Sequence, residues 1–212
     1  ILRRAISERY NIEIDKICCG SGSDELIDIL VRSFSGLNDE VLFSQYGFLM
    51  YSIAAKSNGA IPVAAPEYSY RTDVHSILSS ITNRTKVILI ANPNNPTGSY
   101  LTNIELEFLC REVPKNILLV IDSAYAEFVN EDDYDSGFSF VDKYENIIMT
   151  RTFSKLYGLA SLRLGWSYSS KYLAEIIDKV RQPFNVNAYA QIAGAEAIRD
   201  LSHERLIIEN NN

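Results

Sequence analysis

Four stretches of this chain concentrate side chains that can hold or move protons, and one of them carries a lysine in an unusual place. Lys155 lies in Arg151-Thr-Phe-Ser-Lys-Leu-Tyr-Gly158, directly after the apolar run Ile147–Met149. An amine at the end of a buried strand can lose solvation, which lowers its pKa and frees it to attack a carbonyl. The plainer alternative is a solvated loop lysine, because lysine is rarely buried without a partner. Arg163, a second cation, follows eight residues later. Asp122 closes the apolar run Asn116–Ile121 and is followed by Ser-Ala-Tyr125, while Lys86–Ala91 runs into Asn92-Pro-Asn-Asn-Pro-Thr-Gly98. Finally, Gly20-Ser-Gly-Ser-Asp-Glu25 opens the helical pattern Leu26, Ile27, Ile29, Leu30, Phe34. Small residues at a helix start leave backbone N–H groups open to an anion. A plainly capped helix would use the same residues, and the sequence leaves both readings open.

Groups so far apart in sequence meet only if strand ends deliver them to one place. Lys86–Ala91, Asn116–Ile121 and Ile147–Met149 are apolar runs of strand length, with Val41–Phe43, Ile61–Ala64 and Arg163–Trp166 as shorter candidates. Helical patterns cover Leu2–Tyr10, Asp73–Ser80, Ile104–Cys110, Phe138–Tyr144, Lys171–Arg181 and Asn187–Asp200. Thr102 and Glu105 form a capping box before the third of these. This alternation predicts an α/β domain with a mainly parallel sheet flanked by helices. In such sheets ligands bind beyond the carboxyl ends of the strands, where all four stretches would gather. Asn95-Pro96 is a candidate cis bond, since tight strand-end loops are where such bonds occur.

Length and composition bound the rest. The 212 residues suffice for one large domain, and 47% hydrophobic with 22% charged residues is ordinary for a globular protein. A net charge of −7 argues against nucleic acid as the main partner. No apolar run approaches the length of a membrane span. Cys18, Cys19 and Cys110 offer neither a disulfide framework nor a spaced zinc pattern, and read as reduced core thiols of a cytoplasmic protein with no metal site. The chain opens at Ile1 inside a helical pattern and stops at Asn212 just after another, so a piece of a longer protein is expected.

An anion cradle, an amide, a carboxylate, a tyrosine and a lysine at one sheet edge together match the needs of pyridoxal phosphate. That cofactor requires a lysine for its aldehyde, an anion site for its phosphate, and an acid facing its ring nitrogen. A non-catalytic nucleotide-binding module is the reading from another class, but G-x-G-x-x-G is missing.

The motifs Asn92-Pro-Asn-Asn-Pro-Thr-Gly98, Asp122-Ser-Ala-Tyr125, Thr152-Phe-Ser-Lys-Leu-Tyr-Gly-Leu-Ala160 and Arg163-Leu-Gly-Trp166 resemble fold-type I aminotransferases. Within them, Gly22-Ser-Asp-Glu25 and Arg181-Gln-Pro-Phe-Asn-Val-Asn187 are similar to the histidinol-phosphate aminotransferases. The resemblance implies that Lys155 is the Schiff-base lysine and proton shuttle, and that Asp122 pairs with the ring nitrogen. It implies that Asn95 and Tyr125 bond the ring oxygen, and that Ser23, Asp24, Ser154 and Arg163 hold the phosphate. Phe48 is the implied stacking residue, with Tyr46 second. The usual glutamate after the aspartate is Ser123 here. By the same resemblance residues 1–200 form the large cofactor domain and 201–212 begin a connection to a small C-terminal domain. That domain, which carries the substrate-carboxylate arginine, and the N-terminal arm are not in this sequence. The implied reaction moves an amino group between histidinol phosphate and 2-oxoglutarate in a homodimer. Aromatic aminotransferases and threonine-phosphate decarboxylases share the motifs and stand as alternatives.

Overall fold

The computed structural model of the chain describes residues 1–211 and shows why the strand ends converge. Seven strands, β1 (Ile17–Gly20), β2 (Glu40–Ser44), β3 (Ile61–Ala65), β4 (Thr85–Ala91), β5 (Leu118–Asp122), β6 (Ile147–Thr152) and β7 (Gly165–Ser169), form one sheet in the order β1-β7-β6-β5-β4-β2-β3. The pairs β2–β3, β2–β4, β4–β5 and β5–β6 are parallel, whereas β7 runs antiparallel to both β6 and β1. Every residue of β5 and β6 is buried, which is why Leu118–Ile121 and Ile147–Met149 read as unbroken apolar runs rather than alternating ones.

Successive side chains of a strand face opposite ways, and the sheet uses both faces. Leu119, Ile121, Ile147 and Met149 pack with α1 (Leu2–Tyr10), α4 (Val74–Ser79), α5 (Asn103–Glu112), α6 (Phe138–Val141) and α8 (Ala188–Ala197). Leu118, Val120 and Ile148 pack on the other side with α2 (Ser23–Phe34), α3 (Met50–Ser57) and α7 (Lys171–Val180). The capping box at Thr102 is present, with Glu105 and Thr102 bonded reciprocally. All three cysteines are free, Cys18 and Cys110 buried. Among the described residues no helix is long and apolar enough to cross a membrane.

Several boundaries differ from the sequence reading, among them the helix expected over Phe138–Tyr144, which ends at Val141. The strand expected at Arg163–Trp166 is Gly165–Ser169, and Arg163 instead ends a short 3-10 turn in the left-handed region, φ 52°. β6 continues three residues past Met149, because Thr150–Thr152 pair with β7. The helix expected over Asn187–Asp200 stops at Ala197, and α9 (Leu201–Asn211) begins anew. Asp200 starts it by accepting from His203 N at 3.0 Å, the side-chain bond that favours aspartate at helix starts. Of the expected connecting segment 201–212, Asn212 lies outside the described residues.

The antiparallel β7 fixes the site. Because it runs backward, its N-terminal end lies level with the carboxyl ends of its neighbours: Gly165 pairs with Gly20 of β1 and with Thr152 of β6. Approach there is close enough that a Cβ on Gly165 would sit 2.3 Å from Ser23 N. Gly165→Ala must therefore push β7 away from the start of α2. We expect a loss of about 1–3 kcal/mol in chemical denaturation, and an unchanged midpoint would contradict this packing.

Candidate active site

At the carboxyl edge of the sheet a cavity of about 190 Å³ brings together all nine residues singled out from sequence: Ser23, Asp24, Phe48, Asn95, Asp122, Tyr125, Ser154, Lys155 and Arg163. The registers account for this convergence, since Ala91 stands beside Asp122 and Asp122 beside Thr150.

Asp122 ends β5 with 4% of its surface exposed. Tyr51 Oη donates to its Oδ2 at 2.9 Å and Thr150 Oγ1 to its Oδ1 at 3.1 Å. Burial pushes this carboxyl from 3.8 up to about 6, with the hydrogen bonds from Tyr51 and Thr150 pulling the other way. Tyr51 is fully buried and is itself held well above the usual phenol range by burial and by the neighbouring Asp122. A carboxylate so placed is an acceptor prepared for a proton or a cation.

The start of α2 is built for an anion. Its N-cap is Gly22, φ 85°, and no side chain caps the first amides. Glu25 turns back to accept from Ser21 N–H at 2.6 Å, and Ser23 and Asp24, the first residues of the helix, line the cavity. Gly22 also makes room for Arg163, whose Nη2 would lie 2.6 Å from a Cβ there. Arg163 donates from Nη2 to Asp24 Oδ2 at 3.0 Å and from Nη1 to Ala160 O at 3.1 Å, which aims its guanidinium at the helix start.

Lys155 follows β6 on the loop begun by Ser154, whose N–H is held by Thr152 Oγ1 at 3.1 Å. Its ammonium lies 5.0 Å from the centroid of the Tyr125 ring, a cation–π distance. The loss of solvation expected from its place after a buried strand is not found. Burial runs on through Phe153, Ser154 is half-buried, and the lysine itself is exposed. Phe48 lines the cavity and meets Tyr51 edge-on at 5.8 Å, whereas Tyr46 packs on Tyr70 at 5.2 Å. Both Asn92-Pro93 and Asn95-Pro96 are cis, one more than expected.

Sequence reasoning missed Tyr51 and Thr150 as partners of Asp122. Thr150 follows from the β5–β6 register, which a sequence does not supply; Tyr51 lies three residues after Phe48, a spacing that alone says nothing of Asp122.

The raised Asp122 carboxyl gives a signed prediction. Between about pH 4 and pH 6 the folded chain holds a proton that the unfolded chain has released, so stability falls as pH rises through that window. The loss is complete above it and amounts to about 3 kcal/mol at most. Asp122→Asn lacks this term. Its melting temperature without cofactor should gain on the wild type by several degrees from pH 4 to pH 7, and a pH-independent gap would contradict the assignment.

Residues 2–210 match the model of the family described as aminotransferase class I and II. The chain is similar to the histidinol-phosphate aminotransferase of Paramagnetospirillum magneticum, 47% identical over 211 residues, covering 100% of this chain and 58% of that protein. The enzyme of the same name from Rhodospirillum centenum is 47% identical, with 96% and 56% covered. Among solved structures, the histidinol-phosphate aminotransferase of Sinorhizobium meliloti in complex with pyridoxal-5'-phosphate superposes with a TM-score of 0.93 at 28% identity, over 98% of this chain and 56% of that one. The chain thus spans a little over half the length of these relatives. With that match along its length, the chain belongs to the class I and II aminotransferase family.

Proposed function

We propose that the chain is the cofactor-binding part of a pyridoxal-phosphate-dependent aminotransferase acting between histidinol phosphate and 2-oxoglutarate. The observation that carries this reading is one cavity holding a buried carboxylate, a lysine amine and an uncapped helix start beside an arginine. The relatives at 47% identity, both named for histidinol phosphate, support the substrate.

The residues present fit the cofactor. Asp122 offers a desolvated acceptor for a protonated ring nitrogen, and the Gly22 and Gly165 positions leave no space a Cβ could take beside the anion cradle. Bound there, pyridoxal phosphate supplies a carbonyl that takes up an amine and a ring that withdraws electrons. In this reading Ser23 and Asp24 N–H, Ser154 and Arg163 hold the phosphate, and Phe48 covers the ring. Asn95 and Tyr125 donate to the ring oxygen, while Asp122 holds the proton at the ring nitrogen. Lys155 Nζ takes the proton from the substrate Cα and returns it on the other side of the transfer.

The same reading makes residues 1–200 the large domain and 201–212 the start of a connection to a smaller one that clamps the substrate carboxylate. It places the protein in the cytoplasm as a homodimer with sites shared between subunits. Chromatographic mass and a complementation of two inactive variants would test the last point.

Activity is tested in the full-length protein by following glutamate formation from histidinol phosphate and 2-oxoglutarate. Lys155→Ala should lower the rate by roughly a thousandfold or more. Retained turnover would overturn the proposal, and carbon dioxide release without glutamate would move it to the decarboxylases.

A further inference from the structure

Arg151 is a charge in a place that suits none. It lies in β6, four residues before Lys155, with 6% of its surface exposed. Its neighbour Thr150 turns to Asp122, so Arg151 projects through the opposite face of the sheet, away from the cavity. There Nη1 donates to Glu127 Oε1 at 2.8 Å, and both side chains are less than a tenth exposed. The guanidinium stands beside two rings that touch each other, 5.4 Å from that of Tyr10 and 5.0 Å from that of Phe138. Its Nε has no hydrogen-bond partner among the described residues.

Glu127 belongs to the short 3-10 turn Ala126–Phe128, two residues after Tyr125. The ion pair therefore joins the strand that leads to Lys155 with the turn that follows Tyr125. Those are the residues whose amine and ring stand 5.0 Å apart in the cavity. Stability alone explains such a pair poorly. Taking two charges out of water commonly costs more than their attraction returns, and apolar side chains of similar volume often do as well. A guanidinium differs from an apolar contact in having a fixed direction of donation, and so can hold one segment at a set distance and angle from another.

We propose that Arg151 and Glu127 are a positioning pair, fixing the Lys155 loop against the Tyr125 turn from beneath and so setting the spacing of the two groups in the site. The role rests on the cofactor reading above. Neither residue touches the cavity, so their effect would reach it only through the segments they hold.

The test compares wild type, Arg151→Lys, and the double variant Arg151→Met/Glu127→Leu in the full-length protein loaded with pyridoxal phosphate. Thermal midpoint, the pH midpoint of the bound cofactor's absorbance, kcat and KM are read for each. A positioning role predicts a double variant that melts near the wild type. Its absorbance midpoint should nevertheless move by about half a pH unit or more, and its kcat should fall roughly 10–100-fold with KM little changed. Arg151→Lys keeps the charge but not the fork, and should move the same midpoint in the same direction by less. If the double variant does not fold, the lysine variant decides alone. Variants that titrate and turn over like the wild type overturn the proposal. A wild type that gains no absorbance band overturns the cofactor reading itself, a failure visible before any variant is made.

Discussion

A carboxylate buried at the end of a central parallel strand is the constraint to which the rest of this fold answers. Asp122 has almost no contact with water, and two hydroxyls, from Tyr51 and Thr150, take its oxygens. An unpaired charge so placed is costly, and the carboxyl responds by holding its proton to about pH 6. Its cost is lowered by any cation that arrives in the cavity, and a protonated ring nitrogen is such a cation. The site is thus a place where local instability and ligand affinity are two views of one desolvated group.

The other half of the design is the strand that runs the wrong way. Were β7 parallel to its neighbours, Arg163 would sit at the far edge of the sheet. Running antiparallel, it returns the arginine to the edge where β1, β4, β5 and β6 end, beside the start of α2. Gly22 and Gly165 lie where the two segments touch, and a side chain at either would separate the arginine from the helix start. Cradle, carboxylate and amine then share one cavity while coming from segments as far apart in the chain as Ser23 and Arg163.

Much of this was legible in the sequence because the strands that build the edge are buried on both faces and read as plain apolar runs ending in polar loops. Asp122 stands out since it directly follows such a run, and Asn95 and Lys155 since they lie in the polar loops that such runs lead into. Arg163 lines the cavity although it precedes β7 rather than opening it, and it stands in the left-handed region at the end of a 3-10 turn. Pairing partners were not legible. Thr150 beside Asp122, and Glu127 beneath Arg151, depend on register and on which face a residue takes, which tertiary pairing decides. The exposure of Lys155 was hidden for a related cause, because the length of β6 was set by its pairing with β7 and not by its apolar run.

In the proposed function Lys155 is the amine that holds the cofactor. Adding pyridoxal phosphate to the full-length protein, reducing with borohydride and mapping the peptides by mass spectrometry tests it directly. A stable cofactor-sized mass is expected on the peptide carrying Lys155. An adduct on another lysine, or none while the protein is folded, would contradict it.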